Sequence, residues 1–82
     1  MNKQTLLTYM LETEKDFYYN EKSKKLYITQ GFFDDISLII SNSSCVRDMV
    51  KTLQYDYNII NEKLAYKLID GVRLSYKCIE VL

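Results

Sequence analysis

The sequence predicts an α+β fold: three helices, a β-hairpin in the N-terminal half and a second two-stranded hairpin at the C-terminal end. Three observations carry this reading. Ile36, Ile39 and Ile40, then Val46, Met49, Val50 and Leu53, recur at helical spacing on either side of the polar cluster Ser41–Ser44. Aromatic and β-branched runs, Phe17–Asn20 and Leu26–Thr29, flank the polar residues Glu21–Lys24. Near the end of the chain, Asp70-Gly71 interrupts two apolar runs, and that pair favours tight turns.

Size and composition bound what such a chain can do. Its 82 residues allow one domain, 1–82, around one small core, burying roughly 60–65% of the unfolded surface. Apolar residues make up 48% and charged residues 27%, a balance that folds instead of staying disordered. No run of 18 apolar residues exists, so no membrane span is expected. The segment Met1–Leu7 lacks the long apolar stretch of a secretory leader. Cys45 and Cys78 lie far apart and form neither a metal spacing nor a disulfide framework, so a reduced, cytoplasmic setting is expected. With no His and no Gly-rich phosphate loop, the chain offers no catalytic constellation; neither enzyme activity nor a cofactor nor a metal is expected. Eleven basic residues balance eleven acidic ones. Residues 1–41 carry five basic against six acidic groups and residues 42–82 six against five. Neither half would hold nucleic acid by charge alone, because non-specific affinity comes from phosphate neutralisation.

The first helix is expected over 3–14, capped by Asn2 or Thr5, with Leu7, Met10 and Leu11 as its apolar stripe and Leu6 and Tyr9 widening it. A hairpin follows over 17–29. A four-residue loop pairs Asn20 with Lys25, which sets Tyr19 opposite Leu26 and Phe17 opposite Ile28 on an apolar face. Tyr18 and Tyr27 then meet on the other face, left outward, as a stabilising cross-strand pair or a partner-binding patch. Gly31 breaks the pattern, and Asp34 or Asp35 can cap the next helix, where a carboxylate meets the positive end of the helix dipole.

Residues 34–56 read as a helix-turn-helix: Ser41–Ser44 stop one helix and cap the next, and helices joined by so short a turn cross steeply. Ser44, Cys45, Arg47, Asp48 and Lys51 then face outward from the second helix. The run Ile36–Ser41 would also suit a β-strand. The last hairpin is expected over 62–81. A three-residue loop, Ile69–Gly71 with Gly71 left-handed, pairs Leu68 with Val72, Tyr66 with Leu74 and Leu64 with Tyr76, and makes one face apolar throughout. Lys67 then opposes Arg73, and Lys63 opposes Lys77. Such like-charge pairs do not help folding, so the face is either simply solvated, or meets phosphates, or meets an acidic protein. An alternative stays open: Val46, Val50, Leu53, Tyr57, Ile60 and Leu64 follow steps of four and three, which would make 44–69 one long helix capped by Gly71.

Ile36-Ser37, Ile40, Ser41, Ser43, Cys45-Val46, Arg47, Val50 and Leu53 together resemble the helix-turn-helix segment of bacterial winged-helix transcription regulators of the DeoR and Mga kinds. The resemblance covers about eighteen residues. It implies a winged helix-turn-helix fold and a DNA-binding regulator, with the helix from about Ser44 in the major groove and the basic C-terminal hairpin as a wing on phosphates. On that reading Arg47 reads a base, while Ser43, Ser44, Lys51, Lys67 and Arg73 contact phosphates. Double-stranded DNA is then the partner, and Leu38 and Ile39, in excess of one helical core face, imply a homodimer. The alternative from a different class is a small protein-interaction module or inhibitor. It would bind a larger protein through exposed aromatic or aliphatic surface, and the zero net charge favours it.

Overall fold

A computed structural model describes residues 2–74 and 79–82. The chain runs α1 (Lys3–Glu12), β1 (Phe17–Asn20), β2 (Lys25–Ile28), α2 (Gln30–Asn42), α3 (Val46–Asp56), α4 (Glu62–Leu74) and β3 (Ile79–Val81). The fold is α+β, as expected, but among the described residues it has four helices where three were expected, and a three-stranded sheet of order β1-β2-β3. β1 and β2 are antiparallel, and β3 joins β2 in parallel.

The N-terminal half follows local chemistry closely. Asn2 caps α1, its side chain accepting from the Thr5 amide at 2.8 Å, and the helix ends at Glu12. The hairpin takes the register that the apolar pattern demands: Phe17 with Ile28, Tyr18 with Tyr27, Tyr19 with Leu26, Asn20 with Lys25. Its loop closes through the Asn20 carboxamide, which accepts from the Lys22 and Ser23 amides, and through Lys24 at φ 60°. The Tyr18/Tyr27 face is not left outward, however. Leu6 and Met10 of α1 are buried outside the main core cluster, Tyr9 meets Tyr18 edge to face at 6.3 Å, and Lys3 reaches Glu80 of β3. α1 therefore covers that face, and the tyrosine pair is packing.

The main core lies on the other face. Leu26 and Ile28 from the sheet meet Phe32, Ile36 and Ile39 of α2, Met49, Val50 and Leu53 of α3, and Ala65, Leu68, Ile69 and Val72 of α4. α2 begins at Gln30, four residues before the expected Asp34 cap. Thr29, still extended at the end of β2, caps it by accepting from the Phe32 amide, and that early start puts Phe32 into the core, stacked on Phe17 at 5.8 Å. The run Ile36–Ser41 is helical, not a strand. Ile39 is 9% exposed and belongs to the core, whereas Leu38 is 62% exposed; the two do not form one dimer surface. α2 and α3 are joined by Ser43–Cys45. α3 starts at Val46 with Cys45, not one of the serines, as its cap and no side-chain capping bond, while the Ser44 hydroxyl donates to the Asp48 carboxylate at 3.3 Å.

Two expectations about the C-terminal third are corrected. The single long helix over 44–69 is broken after Asp56: Asn58 turns to φ 57°, a left-handed conformation that Asn tolerates better than most residues. The Ile59 amide returns to the Leu53 carbonyl, and Ile59 is buried. The wing hairpin over 62–81 is replaced by α4 and β3. Residues 62–74 are helical, and β3 pairs with β2, not with residues 62–68. Asn61 caps α4 through the Leu64 amide. The physical reason is burial. At helical spacing Ala65, Leu68, Ile69 and Val72 form one stripe that packs on α2, α3 and the sheet, whereas an isolated two-stranded hairpin is marginal in water. Tyr66 and Leu74, inward in the hairpin register, are exposed. The positions Lys77 and Cys78, and the pairing of Lys63 with Lys77, lie outside the described residues.

Gly71 sits inside α4 without a positive φ. Glycine there weakens the helix by about 1 kcal/mol relative to Ala, and the sheet is the reason it is tolerated. A Cβ on Gly71 would stand 3.2 Å from Ile79 Cδ1 and 3.4 Å from Leu26 Cδ2. The Ile79 methyl ends a flexible, half-buried side chain and can yield slightly. Gly71→Ala should therefore leave stability within about 1 kcal/mol of wild type in urea unfolding, helix propensity offsetting the contact. Gly71→Val should lower it by about 1–3 kcal/mol by overpacking against the sheet. Equal losses for both variants would contradict the helical assignment of Gly71, since a left-handed turn residue rejects any side chain.

Candidate protein-binding groove

The expected site residues do not gather in one place. Ser43 is half-buried as the extended residue closing α2. Ser44 is exposed and engaged with Asp48. Arg47 and Lys51 are exposed and one turn apart on α3. Lys67 is exposed on α4 but turns to the sheet: its ammonium donates to the Tyr19 hydroxyl at 2.7 Å and sits 4.1 Å from the centroid of that ring. Arg73 is exposed in the last turn of α4. Six residues of α-helix turn Lys67 and Arg73 about 120° apart and separate them by about 9 Å, so the expected cross-strand pair of cations does not form. Arg47 and Lys51 thus stand on one element and Lys67 on another, next to β1.

What the fold assembles around Lys67 is an open groove of about 890 Å³. One side is β1 with the chain at its two ends: Glu14, Lys15, Asp16, Phe17, Tyr18, Tyr19 and Glu21. The other is the 57–61 segment with Lys63, Leu64 and Lys67 of α4, and Tyr9 of α1 closes one end. A volume of this size lies within the ordinary range of about 300–1,000 Å³ for binding clefts. Local sequence explains its shape. The left-handed Asn58 and the buried Ile59 fold the 57–61 segment back towards α3. That turns Ile60 outward, 77% exposed, while its carbonyl accepts from the Gln54 side chain. Tyr55, in the last turn of α3, is 82% exposed but does not line the groove. Tyr57 packs on Phe32 at 5.6 Å. Its phenol is held above its ordinary value, mainly by burial and then by the carboxylates of Asp35 and Asp56, so it stays a neutral donor at physiological pH.

Charge is divided across the groove. Lys63 and Lys67 project from α4, while Glu14, Asp16 and Glu21 mark the two ends of β1. Sequence reasoning named Lys67 and missed the groove, because Tyr19 read as a core residue and Ile60 as a step in a helical repeat. The signal that could have found it is Asn58-Ile59-Ile60-Asn61, two residues suited to turns and caps bracketing an apolar pair. Among the described residues no group of His, Cys, Asp and Glu side chains is arranged to hold a metal, and no helix is long and apolar enough to cross a membrane.

Comparison with family models, with curated proteins and with solved structures finds no match for the chain.

A second ionic cluster lies on the α1 side of the sheet. Glu80 of β3 meets Lys25 of β2 at 3.3 Å and Lys3 of α1 at 3.5 Å. Its carboxyl is held below the ordinary carboxylate range, first by the Lys25 hydrogen bond, with burial opposing, and then by the charges of Lys25 and Lys3. The folded state therefore binds this proton less readily than the unfolded chain does. The stabilisation is full above the unfolded pKa of about 4.3 and is lost as pH falls through the lower folded value. Between about pH 5 and pH 3, wild type should lose more stability than Glu80→Gln, and the gap between them should close on acidification. Parallel unfolding midpoints across that window would show that the clasp does not couple to folding.

Proposed function

We propose that this protein is a protein-interaction module, and that it binds a polypeptide partner in the groove beside β1. The observation that carries the reading is the groove itself: a cleft of about 890 Å³ with exposed Ile60 on its rim and the lysines Lys63 and Lys67 on one wall. Small proteins seldom leave such aliphatic and aromatic surface uncovered without a use for it. The zero net charge suits a protein partner better than a polyanion. No constellation for covalent chemistry accompanies the groove, so the reading is of binding and not of catalysis.

DNA recognition is the second reading, and one observation favours it. α2 and α3 are joined by the short turn Ser43–Cys45, and Arg47 and Lys51 lie exposed on α3. On this reading Arg47 reads a base, and Ser43, Ser44 and Lys51 contact phosphates. Lys67 and Arg73 would have to reach the backbone from α4 instead of from a wing. Asp48, on the same stretch of α3, opposes the approach of phosphates.

One experiment separates the two. The wild-type protein and Ile60→Asp are titrated with mixed-sequence duplex DNA at about 50 mM and about 200 mM salt, where phosphate-driven binding differs most. In parallel both are used to retain proteins from an extract of the source cells. The expected result is no saturable DNA binding at either salt, and a polypeptide held by wild type whose retention by Ile60→Asp falls about tenfold or more, as for a buried interface anchor. Saturable DNA binding at low salt, lost on Arg47→Ala and unaffected by Ile60→Asp, would overturn the proposal in favour of the second reading.

A further inference from the structure

The hydrogen-bond phase of the hairpin decides which backbone groups of β1 are free. The Thr29 amide donates to the Asp16 carbonyl at 3.0 Å, one step beyond the Phe17–Ile28 pair. In an antiparallel ladder, opposed residues alternate between bonded and non-bonded pairs. Asp16/Thr29, Tyr18/Tyr27 and Asn20/Lys25 are therefore bonded pairs, while Phe17/Ile28 and Tyr19/Leu26 are not. The far side of β2 agrees, because the Ile28 carbonyl accepts from the Leu82 amide at 2.8 Å and so faces β3. The N–H and C=O groups of Phe17 and Tyr19 consequently point away from the sheet. Among the described residues β1 is an edge strand, and Phe17, Tyr18 and Tyr19 line the groove on that side.

α4 supplies the floor for another strand. One turn of it, at Gly71, touches Leu26 of β2 and Ile79 of β3. One turn earlier, Lys67 touches Tyr19 of β1. Each step of four residues advances about 6 Å along a helix, close to the strand spacing of about 4.8 Å. Lys63, one turn earlier again, therefore lies past β1, beneath the position a fourth strand would take. Leu64 and the exposed Ile60 stand beside it, and Tyr9 of α1 stands on the opposite face.

We infer that the slot beside β1 takes an extended, acidic segment of a protein partner, added as a fourth strand on the backbone of Phe17 and Tyr19, with its carboxylates against Lys63. This rests on the reading of the groove as a protein-binding site and names the mode of binding. Strand addition draws affinity from main-chain hydrogen bonds and specificity from alternate side chains. Side chains on the lower face meet Ile60 and Leu64 as well as Lys63, so apolar and acidic residues suit it. Among the described residues Lys63 makes no ion pair, and on the α4 wall Lys67 already holds the Tyr19 hydroxyl, which leaves Lys63 as the cation of that wall to meet the carboxylate, with Lys15 across the groove. A second copy of the chain fits less well. In a two-fold pairing of β1 with β1, each copy would bring its own 57–61 segment and α4 into the space below its partner's strand.

The test uses a capped seven-residue peptide with valine, glutamate, valine and valine at alternate positions and threonine between them, so that one face is both apolar and acidic, with two controls: the same peptide with lysine for glutamate, and the glutamate peptide N-methylated at alternate amides. Amide hydrogen exchange of the whole protein is followed by NMR. The expected result is that the glutamate peptide slows exchange at Phe17 and Tyr19, that neither control does, and that Lys63→Glu weakens its binding about three- to fivefold by turning an exposed ion pair into repulsion. Equal protection by the N-methylated peptide, or no protection at millimolar peptide, would overturn strand addition. Protection of Phe17 and Tyr19 that rises with protein concentration alone, beside sedimentation as a dimer, would overturn it in favour of a second copy. A partner retained through Ile60 that leaves both amides unprotected would sink this inference while leaving the protein-binding reading in place.

Discussion

The burial of one helical stripe, Ala65, Leu68, Ile69 and Val72, is the contact on which the other elements depend. α4 touches the sheet at Gly71 and packs against both α2 and α3, so removing it would uncover the inner faces of all three at once. The apolar contribution is large: burying each Leu, Ile or Val side chain stabilises by about 1.5–3 kcal/mol, far more than the roughly 1 kcal/mol that a glycine within the helix costs. That comparison explains why a dipeptide with strong turn preference, Asp70-Gly71, lies within a helix.

The same passage of α4 across the sheet creates the groove. α4 meets β2 and β3 at Gly71 and β1 one turn earlier at Lys67, so the turn that precedes Lys67 extends past the edge of the sheet. Here the sheet stops at β1, while α4 continues to Glu62 and the 57–61 segment lies beyond it. Edge strands are commonly blunted by charge or cover, because their open backbone invites pairing. The acidic residues Glu14, Asp16 and Glu21 and the lysines Lys15, Lys63 and Lys67 around this edge fit that role, and they also limit which segments can enter.

How much of this was legible in the sequence differs between the two halves. The hairpin register could be derived in full, because period-two alternation has one solution that puts Phe17, Tyr19, Leu26 and Ile28 on a single face. The α2–turn–α3 spacing was equally readable from Ile36, Val46, Val50 and Leu53. Residues 62–74 were not. Leu64, Tyr66 and Leu68 fit period two, while Ala65, Leu68, Ile69 and Val72 fit period 3.6, and only the tertiary partners decide between them. Ala65 carried little weight in the first pattern and is fully buried in the second. Of the residues expected to act together, Lys67 lies in the groove, whereas Ser43, Ser44, Arg47, Lys51 and Arg73 do not line it. That separation follows directly from α4 replacing the hairpin, since the cations were aligned by a pairing that does not occur.

The groove and the core both depend on α4 crossing the sheet at Gly71 and Lys67. Proton–proton Overhauser contacts measure this directly. Contacts from Gly71 to the methyl groups of Leu26 and Ile79, and from the Lys67 side chain to the Tyr19 ring, with helical backbone shifts over 62–74, are the expected result. Cross-strand Hα contacts between Leu68 and Val72 or between Tyr66 and Leu74, with extended shifts and Gly71 at positive φ, would contradict it.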